Sequence, residues 1–129
     1  MKKLLPLIFL LLPLCTFAFS DHRGHNIDSL EAVTALYTPD RIAAANDAQK
    51  TEYALACRDL AWGYLQIDGA KCVYYAKQAM DVARPLGGLN TIFDMSILIG
   101  QVFWTREQYD SARVWYNQAE RAMAERAAA

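Results

Sequence analysis

Histidine is the scarcest of the chemically versatile residues in this 129-residue chain: the only two, His22 and His25, lie together near the N-terminus in Asp-His-Arg-Gly-His. Everything after them lacks an imidazole, so a histidine base or a closed zinc site cannot arise in the body of the chain without recruiting distant cysteines or carboxylates. Cysteine is almost as sparse, with three residues, and neither the cysteines nor the carboxylates show the short spacing of metal ligands. Six glycines are too few and too scattered for a phosphate-binding loop; Gly87-Gly88 follows a helical pattern rather than a strand and has no companion lysine. There is no basic run, because Lys and Arg are interspersed with Asp and Glu throughout, and that excludes the electropositive patch nucleic acid requires. Beyond Phe19 no apolar run exceeds a few residues, so nothing later in the chain is fit to span a bilayer. The expectation from these absences is a chain without catalysis, cofactor or metal.

What is there begins with Lys2 and Lys3, followed by an apolar run from Leu4 to Phe19 broken only by Pro6, Pro13 and Thr16. The run is shorter than the roughly 20 residues of a membrane span, contains two prolines and ends at small residues before Asp21-His22-Arg23. Residues 1–20 therefore read as a cleavable secretory signal, against a retained anchor or a buried apolar helix. Ala18 and Ser20 fit the small-residue positions of a cut that leaves Asp21 first, while Thr16 and Ala18 offer a competing cut before Phe19. Lipid attachment at Cys15 would need a small residue before it, and Leu14 and Pro13 stand there, so Cys15 belongs to the discarded segment. Without Lys2 and Lys3 the 13 basic residues fall to 11 against 14 acidic ones, a net charge of −3 over one small domain. The expected location is periplasmic or extracellular.

Residues 21–26 read as a disordered tail, and from Ile27 onward apolar residues recur at helical spacing with no sustained strict alternation. A short first helix uses Ile27, Leu30, Val33 and Leu36, then stops at Tyr37-Thr38-Pro39-Asp40, where Thr38 can cap the next helix with Pro39 at its first position. The second helix is expected to be long, from about Pro39 to Gln66, so that residues 27–53 hold a capping helix and the start of the second. Its apolar half runs through Tyr53, Cys57, Leu60, Ala61 and Tyr64, and Asp68-Gly69 turns the chain. A third helix carries Cys72, Tyr75, Ala76, Ala79 and Val82 before Pro85 and Gly87-Gly88. A fourth, capped by Asn90, carries Phe93, Ile97, Gly100 and Phe103. After Thr105-Arg106-Glu107 a fifth holds Tyr109, Ala112, Trp115, Tyr116, Ala119 and Met123, and runs out in Ala-Glu-Arg-Ala-Ala-Ala with no glycine cap or proline stop, so it either frays or the natural chain continues. The fold class is all-α, with about five helices after signal removal. Cys57 and Cys72 fall on apolar faces about one turn out of register in an antiparallel pairing, which favours two buried thiols over a disulfide.

The helices repeat. Shifting the chain by 40 residues sets Cys72 on Ala112, Tyr75 on Trp115, Ala76 on Tyr116 and Ala79 on Ala119; shifting it by 39 sets Leu60 on Ile99, Ala61 on Gly100 and Tyr64 on Phe103. A helix pair repeated at this period is the mark of a solenoid, in which each unit buries its apolar face on the next. Gly100, Phe103, Tyr109, Ala112, Tyr116 and Ala119 stand at the spacing of the tetratricopeptide repeat, which residues 88–129 resemble; residues 54–87 resemble it through Leu60, Ala61, Tyr64 and Ala79, with Cys72 where alanine is usual. The motif's early tryptophan is replaced by Cys57 and Ser96, only Pro85 lies near the closing proline, and the inter-repeat connection is about five residues longer than usual. The period, the signal segment and the stretches IDSLEAV and LAWGYL are similar to exported repeat regions of bacterial signalling proteins, including sensor histidine kinases. The resemblance implies an antiparallel helix-pair solenoid.

The stripe of Tyr64, Tyr75, Phe103, Tyr109, Trp115 and Tyr116 is expected to be core, filling the layers between helix pairs. By analogy with the family's inner groove, Arg58, Trp62, Gln66, Asp94, Gln101 and Trp104 form the candidate surface for a protein or peptide partner; the competing reading packs both tryptophans against neighbouring helices. The Arg-Lys-Asn set that clamps a terminal carboxylate in some relatives is not matched beyond Arg58. Cys57 and Ser96 lack a nearby base and read as packed small residues. A cut after Phe19 would leave Ser-Asp-His, a terminus suited to square-planar Cu(II) or Ni(II), against the plain reading of a disordered tail. Because a solenoid generally needs about three repeats, the last helix is expected to leave apolar surface open at Tyr116–Ala127 for a partner, a homodimer or a continuing chain. The expected function is a protein-interaction module, the alternative being the sensory input segment of a signalling protein whose effector half lies elsewhere. Intact-mass measurement of the exported product should place its first residue at Asp21; a product retaining Met1 would contradict the signal reading.

Overall fold

Among the described residues of a computed structural model, 27–129, the chain forms helices and no strand. The signal segment, Cys15, the tail histidines and their terminal metal motif lie outside the described residues. Helix α1 covers residues 27–35 and is followed by α2 (Pro39–Ala44), α3 (Asp47–Tyr64), α4 (Gly69–Ala83), α5 (Leu89–Thr105) and α6 (Tyr109–Ala128); a single 3-10 turn, Arg84–Leu86, trails α4.

The helix boundaries follow from local capping chemistry. Thr38 Oγ1 accepts from the Arg41 amide at 3.4 Å with Pro39 at the first helical position, as the sequence predicts. The expected long second helix is in fact two, which makes six helices rather than five. Asn46 Oδ1 accepts from the Gln49 amide at 2.8 Å while Gln49 Oε1 accepts from the Asn46 amide at 3.1 Å, and Ala45 is extended. This reciprocal cap satisfies two donors that a helix start would otherwise orphan, and it outweighs the helical preference of the preceding alanines. The chain leaves α3 at Tyr64, and Asp68 then caps α4 by accepting from the Lys71 amide at 3.1 Å. Asn90 is not the cap of α5; the helix starts at Leu89, and its cap position is Gly88, two residues before Asn90, without a side-chain hydrogen bond.

Two ends close by the same hydrogen-bonded turn. After the 3-10 turn, Gly88 N–H donates to the Ala83 carbonyl and Gly87 N–H to that of Arg84; after α5, Gln108 N–H donates to the Phe103 carbonyl and Glu107 N–H to that of Trp104. Each is a Schellman pattern, which needs a left-handed residue at its pivot. Gly87 fills that place in one (φ 72°) and Glu107 in the other (φ 60°).

α3 packs along α4, α5 along α6, and α5 also packs on α4 and α3. Connections this short fold each of the first two pairs into an antiparallel helical hairpin. α5 is consequently covered on most sides, with Ile92, Met95, Ser96, Leu98, Ile99, Gly100 and Val102 all buried. The core joins these to Cys57, Leu60, Ala61 and Tyr64 of α3 and to Cys72, Ala76, Ala79 and Met80 of α4. From α6 only Ala112, Ala119 and Ala122 are buried. Three expected core positions are therefore corrected: Tyr109 and Met123 are about half exposed because no further described helix covers that side of α6, and Leu36 is exposed because α1 has already ended.

Gly100 sets the spacing of the α5–α6 pair, since a Cβ there would overlap the Tyr116 ring. In an open helix, Gly→Ala gains about 1 kcal/mol, whereas overpacking costs about 1–3 kcal/mol. Gly100→Ala should therefore lower unfolding stability by about 1 kcal/mol, and the same change on a Tyr116→Ala background should be neutral or stabilising in denaturant titrations. Glu107→Gly should raise stability by about 0.5–1 kcal/mol, because it removes the left-handed strain of a side-chain-bearing residue.

Candidate binding surfaces

α3 turns Tyr53, Cys57, Leu60, Ala61 and Tyr64 inward, and the four-residue stagger leaves Arg58 and Trp62 on its outer face with Gln66 just past its end. On α5 the corresponding outer positions are Asp94, Gln101 and Trp104. The six residues thus lie in two stripes, one on each of two helices that pack against each other. Arg58 pairs with its neighbour Asp59 at 3.1 Å; both side chains are partly exposed, so the pair adds little stability. Trp62 is 48% exposed and Trp104 56% exposed. The Trp104 ring meets Tyr109 edge-on at 4.7 Å, so Tyr109 extends this surface rather than the core.

A cleft elsewhere on the molecule was not foreseen. Between α1, Tyr37 and α2, the first half of α3 and the outer side of α4 lies a cleft of about 740 Å³. Tyr37 and Tyr53 form one wall, their ring centres 5.6 Å apart and tilted by 59°. Tyr74 and Tyr75 form the other, edge-to-face at 5.1 Å, and Tyr75 in turn stacks on Tyr64 at 5.9 Å. Glu31 and Asp81 also line the cleft, whose lining holds no Lys, Arg or His. The Tyr64 hydroxyl donates to the Glu31 carboxylate, and the Tyr37 hydroxyl donates to Glu52 at 3.2 Å.

These contacts keep the phenols protonated. The hydrogen bond to Glu31, and then burial, push the Tyr64 hydroxyl up to about 12. Burial raises Tyr53 and Tyr75 as well, the latter helped by the charge of Glu31. The tandem Tyr74-Tyr75 was the available signal, since adjacent helical residues cannot share one face: Tyr75 packs inward and Tyr74 stays 57% exposed. The rest of the cleft depends on where α1 docks across α4, which no local pattern encodes.

The nucleophile candidates are held in packed surroundings. Cys57 and Cys72 are fully buried free thiols, and burial pushes each up to about 11. Ser96 is also fully buried, its hydroxyl 3.6 Å from the Met80 sulfur. Among the described residues no group of three or more His, Cys, Asp or Glu side chains is placed to hold a metal ion, and no helix is long and apolar enough to cross a membrane. Compared with protein-family models, curated proteins and solved structures, the chain finds no match.

Thiol reagents should leave Cys57 and Cys72 unmodified at neutral pH until the protein is unfolded; rapid labelling of the native state would contradict their burial. Both thiols and the buried phenols ionise more readily in the unfolded chain, which then binds fewer protons than the native one. Thermal stability should therefore hold below pH 9 and fall as pH rises from about 9 toward about 11, a trend calorimetry at stepped pH would check.

Proposed function

We propose that this chain is an exported helix-pair repeat module of tetratricopeptide type, which binds a protein or peptide partner through the outer faces of α3 and α5 and performs no chemistry of its own. The repeat is supported by burial as well as by residue type. Leu60 and Ile99, Ala61 and Gly100, Cys72 and Ala112, and Ala79 and Ala119 are matched by the internal shift, and all eight are buried. Two α-hairpins stacked in this way make the start of an antiparallel solenoid.

The observation that carries the binding role is the pair of half-exposed tryptophans, Trp62 and Trp104, on adjacent helices whose other large apolar side chains are mostly covered. Tryptophan is over-represented among residues that dominate binding energy, since it offers a large rigid surface with one polar handle. Interspersed Arg58, Gln66, Asp94 and Gln101 supply hydrogen-bonding groups around that apolar pair.

Self-association through α6 is the second contact, because Val114 and Met123 are both exposed on that helix, on opposite sides of it, with no further described helix over them. A sensory input segment of a signalling protein would use the same two surfaces, one for its ligand and one for assembly.

Peptides selected from a displayed random library should bind the purified protein, and Trp62→Ala or Trp104→Ala should each weaken the selected peptide by tenfold or more. Asp110→Asn, an exposed change on α6, should leave affinity unchanged. Failure to select any binder, or binding indifferent to both tryptophans, would contradict the proposal.

A further inference from the structure

We infer that the cleft between α1 and α4 is a second binding site, independent of the α3/α5 face, which receives a basic side chain, lysine or arginine, presented by a peptide. Four tyrosines wall it: Tyr37, Tyr53, Tyr74 and Tyr75. Their rings are crossed rather than parallel, at 59° and 76° within the two pairs, so within each pair the rings do not stack face to face. A ring face attracts a cation through its quadrupole, and an ammonium or guanidinium group is the ligand that such walls favour.

Charge selects the same class. Glu31 and Asp81 contribute two carboxylates to the cleft, whose lining offers no positive side chain to neutralise them. Among the described residues neither forms an ion pair; Glu31 accepts from the Tyr64 hydroxyl, and Lys71 sits over the Tyr64 ring at 5.0 Å rather than on the carboxylate. An anion would meet repulsion from both carboxylates, and an uncharged apolar group would bury them without a partner.

Size points to a peptide rather than to a lone small cation. About 740 Å³ is within the range of clefts that hold a ligand of many heavy atoms, far more than one ammonium group fills. The aliphatic stem of lysine or arginine would lie along Ile42 and Val82, with its charged head between the tyrosine rings and the carboxylates. The Gln78 amide in the same wall can serve the ligand backbone.

The test is titration of the purified protein with end-capped Gly-Arg-Gly, Gly-Lys-Gly and Gly-Gln-Gly peptides and with choline, followed by tyrosine ring signals in nuclear magnetic resonance spectra. Both basic peptides should bind, weaken with added salt, and exceed the glutamine peptide by tenfold or more. Tyr74→Ala and Asp81→Asn change exposed positions of α4, so the fold survives them; each should lower affinity about fivefold, roughly one aromatic–cation contact or one partly screened charge. Trp62→Ala should change nothing at this site, which separates its failure from failure of the α3/α5 surface. Equal binding of the glutamine peptide, or affinity unaffected by both α4 variants, would overturn the inference. Binding of choline without either basic peptide would overturn its assignment to a peptide side chain.

Discussion

The burial of α5 against three other helices is the constraint on which the remaining architecture depends. A helix covered on most sides must be apolar nearly all round, and its neighbours must come close without clashing. Small residues meet the second demand: Gly100 admits the Tyr116 ring, while Cys72, Ala76 and Ala79 line the buried side of α4. A side chain added at Gly100 forces Tyr116 or the whole of α6 to move, which loosens the last hairpin from the first. The hydrogen-bonded turns at Gly87 and Glu107 then set how the chain enters and leaves α5, so its ends are placed as firmly as its middle.

Much of this was legible because it is written in local chemistry. Thr38-Pro39 marks the start of α2, the helical period locates α3 to α6, and the small residues at Ala61, Gly100, Cys72 and Ala112 reveal which faces are buried. The break between α2 and α3 was equally local but was hidden by the helical preference of Ala43, Ala44 and Ala45; the Asn46 to Gln49 spacing was the cue. Glu107 in a left-handed pivot could not be read, since nothing in its own identity favours that conformation. Tyr109 was assigned to the core, and it is about half exposed instead, with its ring edge-on to Trp104.

The candidate sites divide along the same line. Register alone set Trp62 and Trp104 beside the packed faces of α3 and α5, since only the orientation of one helix at a time is needed, and both are about half exposed. The tyrosine cleft could not be placed so, because it exists only once α1 has crossed onto α3 and α4 and brought Glu31 beside Tyr64 and Tyr75, more than thirty residues away in the chain. Tyr74 and Tyr75 look alike in sequence and do different things: one continues the stack with Tyr64, and the other remains at the cleft's rim. The thiols of Cys57 and Cys72 and the Ser96 hydroxyl are buried in the packed interior, away from both surfaces.

The central claim, that the outer face of α3 and α5 is where a partner binds, is tested most directly by the three tryptophan indole N–H signals of the chain during titration with a selected peptide. Trp62 and Trp104 should shift together, while Trp115, half-buried with Lys77 over its ring at 5.6 Å, should stay in place. A shift of Trp115 with the other two unmoved would put the partner on α6 and contradict the account.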